Sequence, residues 1–331
     1  MPGSTSGKAF SGHWVSNEDR PEILSVVAMT ISYKSGVTAV VVSYQPVLEV
    51  LTQLVDALIP QVAAIVLMDN GSQADLAAWN RERGSLAIEL LQLGENKGIA
   101  TAQNMGIQWA RDRGAELLLF MDQDSIPAPD MVAKLVSAIS KQPSPAAAGP
   151  RYLDERQDNP PPFIRIPMLT LERCACVTDD AIVPVDYLIS SGCLIPMSVL
   201  DKVGGMRDDL FIDYVDIEWG MRARRQGLQS YGVCAAHMQH SLGDQPIKFL
   251  GKYIPLHSPR RHYYHFRNAV LLYREPWLPL NWKLVDGWRL ILKYVFYSLF
   301  AKPRITHWRM MTLGIWHGLL GKSGKLDGKV S

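Results

Sequence analysis

Two carboxylates stand one residue apart directly behind a short apolar run. The run Leu117–Met121 is typical of a buried strand, and Asp122 and Asp124 follow it before the turn residues Ser125 to Pro127. Because side chains alternate along a strand, the two carboxylates would point the same way if the extended geometry continued. Their oxygens are hard ligands that suit Mg²⁺ or Mn²⁺, ions that commonly carry diphosphates. The alternative is a solvated acidic turn.

The elements around this turn are predicted to alternate between strand and helix. Such alternation implies βαβ units and a mostly parallel sheet. Ligands of open α/β sheets bind at the carboxyl ends of the strands, where Asp122 and Asp124 would lie. The predicted strands are Val37–Tyr44, Ala63–Met68, Ile88–Leu93 and Leu117–Met121, with shorter strands near Ala181–Ile189 and Cys193–Pro196. The predicted helices are Val47–Leu58, Leu76–Arg83, Gly98–Arg113 and Pro129–Ser140.

Composition is that of an ordinary globular protein. The 331 residues are 47% hydrophobic and 20% charged, and a net charge of +2 gives no bulk electrostatic case for nucleic acid. The 4 cysteines are too few for a disulfide framework and lack the second ligand pair of a zinc site. We therefore expect reduced cysteines and a cytoplasmic setting. Residues 1–12 lack the apolar core of a secretory signal, and part of this extension is expected to be disordered.

Three upstream motifs could contact a nucleotide. Asp69 follows a strand and begins a Gly-containing turn, so its carboxylate can accept hydrogen bonds from a base or a sugar; an Asx turn is the alternative. Tyr44 stands at a strand end, where it could stack on a base or simply close the strand. From Asn96 to Gly106, small residues enter a helix whose N-terminus would favour a diphosphate. The alternative there is tight packing of helix on sheet.

Three acids lie in a partly apolar stretch further along the chain. Asp213, Asp216 and Glu218 precede or begin a helix that is predicted to end before Gly227. Acids at a helix start also stabilise the macrodipole, and Glu218 could meet the arginine four residues later. The turn Ser190–Gly192 could place backbone N–H groups near a ligand, or be an ordinary turn before a strand.

The C-terminal region is rich in bulky apolar residues with interspersed bases. A helix predicted over Trp288–Ala301 would be about 21 Å long and is interrupted by Lys293, so a full membrane crossing is not expected. Trp residues and the bases Lys302, Arg304 and Arg309 favour a helix that lies in a membrane interface. A buried helix or a dimer interface is the alternative.

In their order and spacing these motifs resemble glycosyltransferase family 2, and more narrowly its bacterial rhamnosyltransferases. The similarity extends from about residue 37 to residue 325. The resemblance implies an α/β GT-A fold, with a mostly parallel central sheet flanked by helices and a C-terminal helical appendage. The motifs that carry it are Val40–Tyr44, Asp69–Ser72, Asn96–Gly106, Asp122–Asp124, Ser190–Gly192, Asp213–Trp219, His240–Asp244, Arg261–Asn268 and Gly314–Gly318.

The resemblance also implies roles for the catalytic and metal-binding residues. Asp216 would be the general base that takes the proton of the acceptor hydroxyl group, with the two neighbouring acids as alternates. Asp124 would bind Mg²⁺ or Mn²⁺ directly, whereas Asp122 would contact ribose or a metal-bound water. His240 has the spacing of a further metal ligand, with His237 as the competing candidate.

Other residues would bind the donor or face the acceptor. One of Arg261 and Arg267 is expected to meet phosphate, because guanidinium groups bind it bidentately. The candidate donor-binding residues are Tyr44, Asp69, Asn96, Lys97, Asp122, Arg261 and Arg267. The candidate loop residues near acceptor or donor are Ser191, Gly192, Asp213, Glu218 and Trp219.

The expected activity is an inverting, metal-dependent transfer of L-rhamnose from dTDP-L-rhamnose to a lipid-linked glycan or polysaccharide precursor. Alternatives are a UDP-hexose or UDP-galactofuranose donor, a nucleotidyltransferase (whose Gly-rich signature is missing from Val37–Pro46), and a non-catalytic membrane-associated scaffold. We expect a cytoplasmic protein, peripheral on the inner face of a bacterial membrane, without a nucleic-acid partner; a homo-oligomer is left open. The expected parts are 1–36 as an extension, 37–275 as a catalytic domain with nucleotide-sugar and acceptor halves (37–125 and 126–275), and 276–331 as an amphipathic helical region.

Overall fold

The computed structural model describes residues 36–84, 88–153, 163–240, 247–249 and 252–328. The expected N-terminal extension lies outside these ranges except for its last residue, as do Gly243 and Asp244. The strands are β1 (Val37–Ser43), β2 (Ala64–Asp69), β3 (Ile88–Gln92), β4 (Leu117–Asp122), β5 (Ser125–Pro127), β6 (Pro145–Leu153), β7 (Phe163–Arg165), β8 (Glu172–Cys174), β9 (Ile182–Val185), β10 (Leu194–Pro196), β11 (Gln229–His240), β12 (Ile247–Phe249) and β13 (Lys252–Ile254).

Helices directly follow six of the thirteen described strands and cover the main sheet. They are α1 (Leu48–Leu58), α2 (Leu76–Arg83), α3 (Ile99–Asp112), α4 (Met131–Ser140), α5 (Met197–Val203), α6 (Val215–Arg225), α7 (Pro259–Tyr273), α8 (Leu280–Phe300) and α9 (Arg304–Leu319), with a short 3-10 helix at Asp208–Leu210. The four upstream helices agree with prediction to within two residues at either end. Helix α8 begins at Leu280 rather than at the predicted Trp288.

The first four strands form the parallel half of the main sheet. Strand β1 pairs in parallel with both β2 and β4, and β3 flanks β2. In register, Ser43 lies beside Asp69 and Val42 lies beside Asp122, so the three strands end at one edge. Every residue of β1 is buried, which explains its unbroken apolar run. The Asp69 and Asp122 motifs therefore lie at the same carboxyl edge of the parallel strands.

Beyond β4 the sheet is mixed, in the order β3-β2-β1-β4-β10-β6-β11-β5. Strand β10 is antiparallel to both of its neighbours, and β11 pairs in parallel with β6. Strand β5 returns antiparallel to β11, which brings the backbone of His240 opposite Ser125. The long strand β11 thus ends beside the turn that follows β4.

Two apolar cores lie on the two faces of this sheet. On one face α1 buries Leu51, Leu54, Val55 and Leu58, the spacing of an amphipathic helix. On the other face α3 approaches β1 so closely that a Cβ at Gly106 would lie 2.4 Å from Val40 Cγ1. Of the two interpretations of this glycine, the structure has the tight packing of helix on sheet.

The C-terminal helices pack against α7 and share a core with the sheet. Gly314 and Gly318 of α9 face α7, where added Cβ atoms would lie 2.4 Å from Tyr263 O and 2.7 Å from Val270 Cβ. The two glycines of this terminal motif therefore permit close approach of helices. Within the described ranges, no helix combines the length and apolar character that crossing a bilayer requires.

One disulfide bond departs from the sequence prediction. Cys176 and Cys234 are bonded, with Cα atoms 5.7 Å apart, although they are 58 residues apart in sequence. They meet because β9 pairs with β11, which places Ile182 beside Val233. The expectation of reduced cysteines is thus wrong for this pair, because the pairing depends on a sheet register that spacing alone does not give.

Candidate active site

A cavity of about 520 Å³ opens at the carboxyl edge of the sheet. Its volume falls in the range of small-molecule sites. Three walls surround it: the strand ends, the segment before α6, and the first turns of α7. The described residues that line it are Val42, Tyr44, Asn70, Asn96, Gly98, Ile99, Gln103, Asp122, Gln123, Asp124, Ile189, Ser190, Phe211, Ile212, Asp213, Tyr214, Val215, Asp216, Ile217, Pro255, His257, Arg261 and His265.

The acidic turn after β4 forms the first wall. Extended geometry stops at Asp122, because residues 123 and 124 form a turn before β5, so the alternation expected for Asp122 and Asp124 does not hold. Both carboxylates still line the cavity. The turn is fixed to β1 by Gln123, whose Oε1 accepts from Tyr44 N at 2.7 Å and whose Nε2 donates to Tyr44 O at 3.1 Å.

Ser191 supports this turn from behind. Its Oγ accepts from the backbone N–H of Asp122 at 3.1 Å and donates to Ser125 Oγ at 2.7 Å. Gly192 beside it has φ +77°, and a Cβ there would meet the Pro150 ring at 2.5 Å. Both candidate loop residues therefore lie outside the lining set, whereas the neighbouring Ser190 is within it.

The loops after β2 and β3 form a polar corner beside Tyr44. Asp69 is buried behind this corner, and its Oδ1 accepts from the backbone N–H of Ser72, three residues on, at 2.9 Å. The bond closes the turn locally, although an Asx turn proper would bond the residue two positions on. Asn70 lines the cavity instead: its Oδ1 accepts from Lys97 N at 2.8 Å and its Nδ2 donates to Asn96 Oδ1 at 3.2 Å. Of the predicted residues, Asn96 therefore lines the cavity, whereas Asp69 and Lys97 lie next to the cavity. Asn70 also lines it and was not predicted, although it belongs to the Asp69–Ser72 motif.

The segment before α6 forms the second wall and has an unusual backbone. Phe211, Asp213 and Tyr214 have φ values of 67°, 64° and 65°, the left-handed region that favours glycine. Helix α7 holds the segment, since the Asn268 amide donates to the carbonyls of Leu210, Ile212 and Asp213 at 2.9, 2.7 and 2.9 Å. Asp213 lines the cavity directly.

Asp216 lies in the first turn of α6 and lines the cavity below this segment. The pKa of Asp216 is raised from its ordinary value of 3.8 to about 6, chiefly by burial and also by the nearby charges of Asp213 and Asp122. The backbone N–H of Ile217, which donates to Asp216 Oδ1 at 2.9 Å, opposes that rise. A carboxyl group with this pKa can accept a proton near neutral pH, as a general base must.

Glu218 and Trp219 stabilise the start of α6 and lie outside the lining set. Glu218 is buried and forms a bidentate ion pair with Arg222, with Nε–Oε1 at 2.9 Å and Nη2–Oε2 at 2.8 Å. This is the pair that the spacing predicted as an alternative to catalysis. Trp219 Nε1 donates to Gly204 O at 3.0 Å, and its ring borders a small internal cavity of about 20 Å³ beside Asp216.

The start of α7 forms the third wall. Arg261 lines the cavity and pairs with Asp213, with Nη2–Oδ1 at 3.2 Å. Arg267 lies elsewhere: it is buried, and its Nη2 donates to Leu210 O at 2.8 Å. Of the two arginines, Arg261 is therefore the one within reach of a ligand. Only the tertiary structure separates them, because both fall within one motif of the sequence.

Two histidines of this wall were not singled out from the sequence. His257 and His265 line the cavity, and Lys293 Nζ of α8 lies 2.9 Å from His265 Nε2. Burial lowers the pKa of His265 well below its ordinary value, and the charge of Lys293 lowers it further. His265 is therefore neutral. His265 belongs to the Arg261–Asn268 motif, whereas no sequence signal marks His257.

Two of the three candidate metal ligands have described side chains. Asp122 and Asp124 line the cavity, but the side chain of His240 lies outside what the structure describes. Its backbone position opposite Ser125 is next to the acidic turn. His237, the competing candidate, is not among the described lining residues. Within the described ranges, no group of three or more His, Cys, Asp or Glu side chains is arranged to hold a metal ion.

Comparison with known proteins identifies relatives over most of the chain. The model of the family "Glycosyl transferase family 2" matches residues 38–195. dTDP-rhamnosyl transferase RfbF from Shigella flexneri is 32% identical over 291 residues, which cover 88% of this chain and 97% of that protein. Low-salt glycan biosynthesis hexosyltransferase Agl10 from Haloferax volcanii is 25% identical over 280 residues, covering 80% of this chain and 85% of that protein.

Solved structures share the fold at low sequence identity. The mannosyltransferase PcManGT from Pyrobaculum calidifontis, in complex with GDP-Man and Mn²⁺, has a TM-score of 0.54 at 15% identity and covers 88% of this chain and 89% of its own. GalNAc-T7 with UDP, GalNAc and Mn²⁺ has a TM-score of 0.55 at 13% identity, and the match covers 93% of this chain and 65% of GalNAc-T7. The predicted GT-A fold is thereby confirmed. The chain belongs to glycosyl transferase family 2 and is a glycosyltransferase.

Proposed function

We propose that this enzyme transfers L-rhamnose from dTDP-L-rhamnose to an acceptor hydroxyl group with inversion at the anomeric carbon. The observation that carries the proposal is the arrangement of one cavity, in which Asp216 faces the turn of Asp122 and Asp124. The donor sugar is inferred from the relative named dTDP-rhamnosyl transferase, which matches 88% of the chain. A UDP-hexose or UDP-galactofuranose is the second candidate, because another relative is named only as a hexosyltransferase.

In this mechanism Asp216 removes the proton of the acceptor hydroxyl group as its oxygen attacks the anomeric carbon. The attack comes from the face opposite the nucleoside diphosphate, so the C–O bond to the diphosphate breaks as the new C–O bond forms. No covalent enzyme intermediate is needed. The raised pKa of Asp216 supports this role, since it is ionised at neutral pH yet basic enough to take the proton.

The donor is held by the polar corner and the third wall. Asn70 and Asn96 offer amide groups to the nucleoside, and Tyr44, which is exposed beside them, offers a ring face. Arg261 is directed to the diphosphate by its ion pair with Asp213. Asp69 and Lys97 act through the turn that positions Asn70.

The donor set at the acidic turn fits Mg²⁺ or Mn²⁺. These ions are commonly held by one or two carboxylates together with substrate phosphates, and Asp122 and Asp124 supply two carboxylates on one cavity wall. His240 is a further candidate by its backbone position. Mn²⁺ in both solved relatives agrees with such a site. When bound, the ion would neutralise charge on the leaving diphosphate.

The acceptor is proposed to be a lipid-linked glycan or polysaccharide precursor, reached from the membrane surface. Helix α8 exposes an apolar stripe of Leu284, Trp288, Ile291, Val295 and Leu299. The spacing of these residues places them on one face of the helix. A contiguous row of five exposed apolar side chains is typical of an interaction surface.

Charge favours an anionic bilayer over a second protein copy as the partner of this stripe. Between residues 280 and 319 Asp286 is the only acid in the sequence, and it points inward to two tyrosines. The bases Lys302, Arg304 and Arg309 are exposed. An interfacial position on the inner face of the cell membrane, where the leaflet is anionic, suits this pattern.

The test of the proposed chemistry is Asp216→Asn. Its neutral amide keeps the shape of the carboxyl group but cannot take a proton, so transfer and donor hydrolysis should fall by roughly 10²- to 10⁴-fold. Donor affinity, measured by calorimetry, should stay close to that of the wild type. Near-normal turnover in Asp216→Asn would contradict the base assignment. A wild-type protein that binds the donor without ever turning it over would favour the scaffold alternative, and product formed from a sugar phosphate and a nucleoside triphosphate would indicate a nucleotidyltransferase.

A further inference from the structure

The inward face of α8 contacts the segment that carries the proposed base. Tyr214 is the residue before α6, has φ 65°, and stands two residues before Asp216. A bulky residue in the left-handed region persists only where its surroundings hold it. The orientation of the first turn of α6 therefore depends on what fixes Tyr214.

Tyr214 is fixed from its side chain by a helix outside the sheet. Its hydroxyl group donates to Asp286 Oδ2 of α8 at 2.9 Å. Its ring is almost fully buried and lies 5.0 Å from that of His265 and 6.4 Å from that of Trp282. The hydrogen bonds from the Asn268 amide end at the carbonyl of Asp213. The next side-chain hydrogen bond along the chain toward Asp216 is the one from Tyr214 to Asp286.

Asp286 is itself anchored on a second element. Tyr273, at the end of α7, donates to the same Oδ2 atom at 2.6 Å. Burial raises the pKa of both tyrosines, and the charge of Asp286 raises it further, so both hydroxyl groups stay protonated and donate. One carboxylate oxygen thus joins α7 and α8 to the segment that precedes the base.

We propose that Asp286 is a positioning residue for the glycosyl transfer: through Tyr214 it sets the orientation of Asp216 toward the acceptor. The inference rests on the proposed role of Asp216 as base. It makes the C-terminal helix α8 a part of the catalytic unit and not only a surface-binding appendage.

Two tyrosine substitutions form a matched test. Tyr214→Phe and Tyr273→Phe each remove one hydroxyl group from Asp286 Oδ2, but only the first breaks the link to the base segment. In Tyr214→Phe, kcat for donor hydrolysis should fall about tenfold or more, because a misplaced catalytic group slows the reaction. KM for the donor should not change. In Tyr273→Phe kcat should stay within about twofold of the wild type.

A double variant tests whether the two residues act together. If Asp286 acts through Tyr214, Tyr214→Phe added to Asp286→Ala should cause no further loss of kcat, because the link is already broken. Hydrogen exchange of the peptide covering residues 208–218, measured by mass spectrometry, supplies a readout that does not require turnover. It should be faster in Tyr214→Phe than in the wild type or in Tyr273→Phe.

Three outcomes would overturn the inference: unchanged kcat and exchange in Tyr214→Phe, equal losses in both tyrosine variants, or losses that multiply in the double variant. A wild-type protein that hydrolyses no nucleotide sugar would instead contradict the proposed function. In that case the exchange measurement still decides whether Asp286 holds the segment through Tyr214.

Discussion

At the scale of single residues, the candidate site depends on a carboxyl group that is buried yet must ionise. Asp216 lies near Asp213 of its own wall and near Asp122 of the acidic turn, and Tyr187 and Cys193 lie within range of its charge. Burial raises the pKa of Tyr187 and that of Cys193, so both groups stay neutral at neutral pH. The pKa of Asp216 is therefore set by its burial, by the opposing hydrogen bond from Ile217 N–H and by the two aspartates.

This arrangement predicts an acid limb in the pH profile. A base works only when ionised, so kcat for donor hydrolysis should fall as the pH drops through about 6, the pKa of Asp216. Asp213→Asn removes one of the charges that raise this pKa, and its acid limb should move to lower pH. A limb that stays in place in Asp213→Asn would show that another group titrates.

The same shift predicts the pH dependence of stability. The folded protein holds the Asp216 proton between pH 3.8 and about 6, so ionisation above that range costs folding free energy. Asp216→Asn should therefore raise Tm relative to the wild type at pH 8, and change it little at pH 4. A Tm difference that is the same at both pH values would contradict the burial of an ionised carboxylate.

At the scale of elements, the site depends on how closely helices approach the sheet and each other. Gly106 lets α3 pack on β1, and this fixes the loop of Asn96 and Gly98 that opens α3. Gly98 has φ +91° and lies against the carbonyl group of Phe211. The same carbonyl oxygen accepts a hydrogen bond from Ile99 N at 2.8 Å. One helix start thereby joins the nucleotide corner to the strained segment before α6.

Two helical glycines give a matched prediction for this packing. Gly106→Ala would place Cβ 2.4 Å from Val40 Cγ1, so the free energy of unfolding should fall by about 1–3 kcal/mol. At Gly287 the nearest atoms are 4.0 Å away, and Gly287→Ala should raise that free energy by roughly 0.5–1 kcal/mol through helix propensity. Urea denaturation measures both. Equal changes in the free energy of unfolding in the two variants would indicate that α3 can move away from β1 without loss of stability.

Local patterns were sufficient to predict the strands and helices that build the sheet edge, because apolar runs and turn residues are read within a few positions. They also singled out Tyr44, Asn96 and the acidic turn, whereas Asp216 was chosen among three acids only by the family resemblance. They did not separate Arg261 from Arg267, which lie on different faces of one helix, nor Asp69 from Asn70, which are adjacent. His257, the link between Tyr214 and Asp286, and the disulfide depend on tertiary neighbours and on sheet register.

At the scale of the whole molecule, α8 has two faces with different surroundings. The inward face contacts the wall of the candidate site through Asp286 and Lys293. The outward face carries the apolar stripe, in which Trp288 is 61% and Ile291 57% exposed. The five residues of the stripe are between 51% and 61% exposed, and such exposure is what an interfacial helix requires before it meets lipid.

Vesicle binding tests this orientation. The protein should co-sediment with phosphatidylcholine vesicles that contain phosphatidylglycerol, less with pure phosphatidylcholine, and less at high salt. Trp288→Ser with Ile291→Ser should weaken binding about tenfold or more, from the loss of buried apolar area. The control replaces Met168 and Leu169, which are at least as exposed but lie outside the stripe, with serine. Equal loss in the control, or binding that ignores lipid charge, would contradict the assignment.

The most direct measurement of the central proposal is calorimetric titration of the wild-type protein with dTDP-L-rhamnose, UDP-glucose and UDP-galactose, each with Mn²⁺ and with EDTA. We predict binding of dTDP-L-rhamnose that requires Mn²⁺ and no comparable binding of the UDP sugars. Preferential binding of a UDP sugar would contradict the rhamnosyl assignment while leaving the family and the mechanism in place. Equal binding of dTDP-L-rhamnose in EDTA would contradict the role of Asp122 and Asp124 as metal ligands.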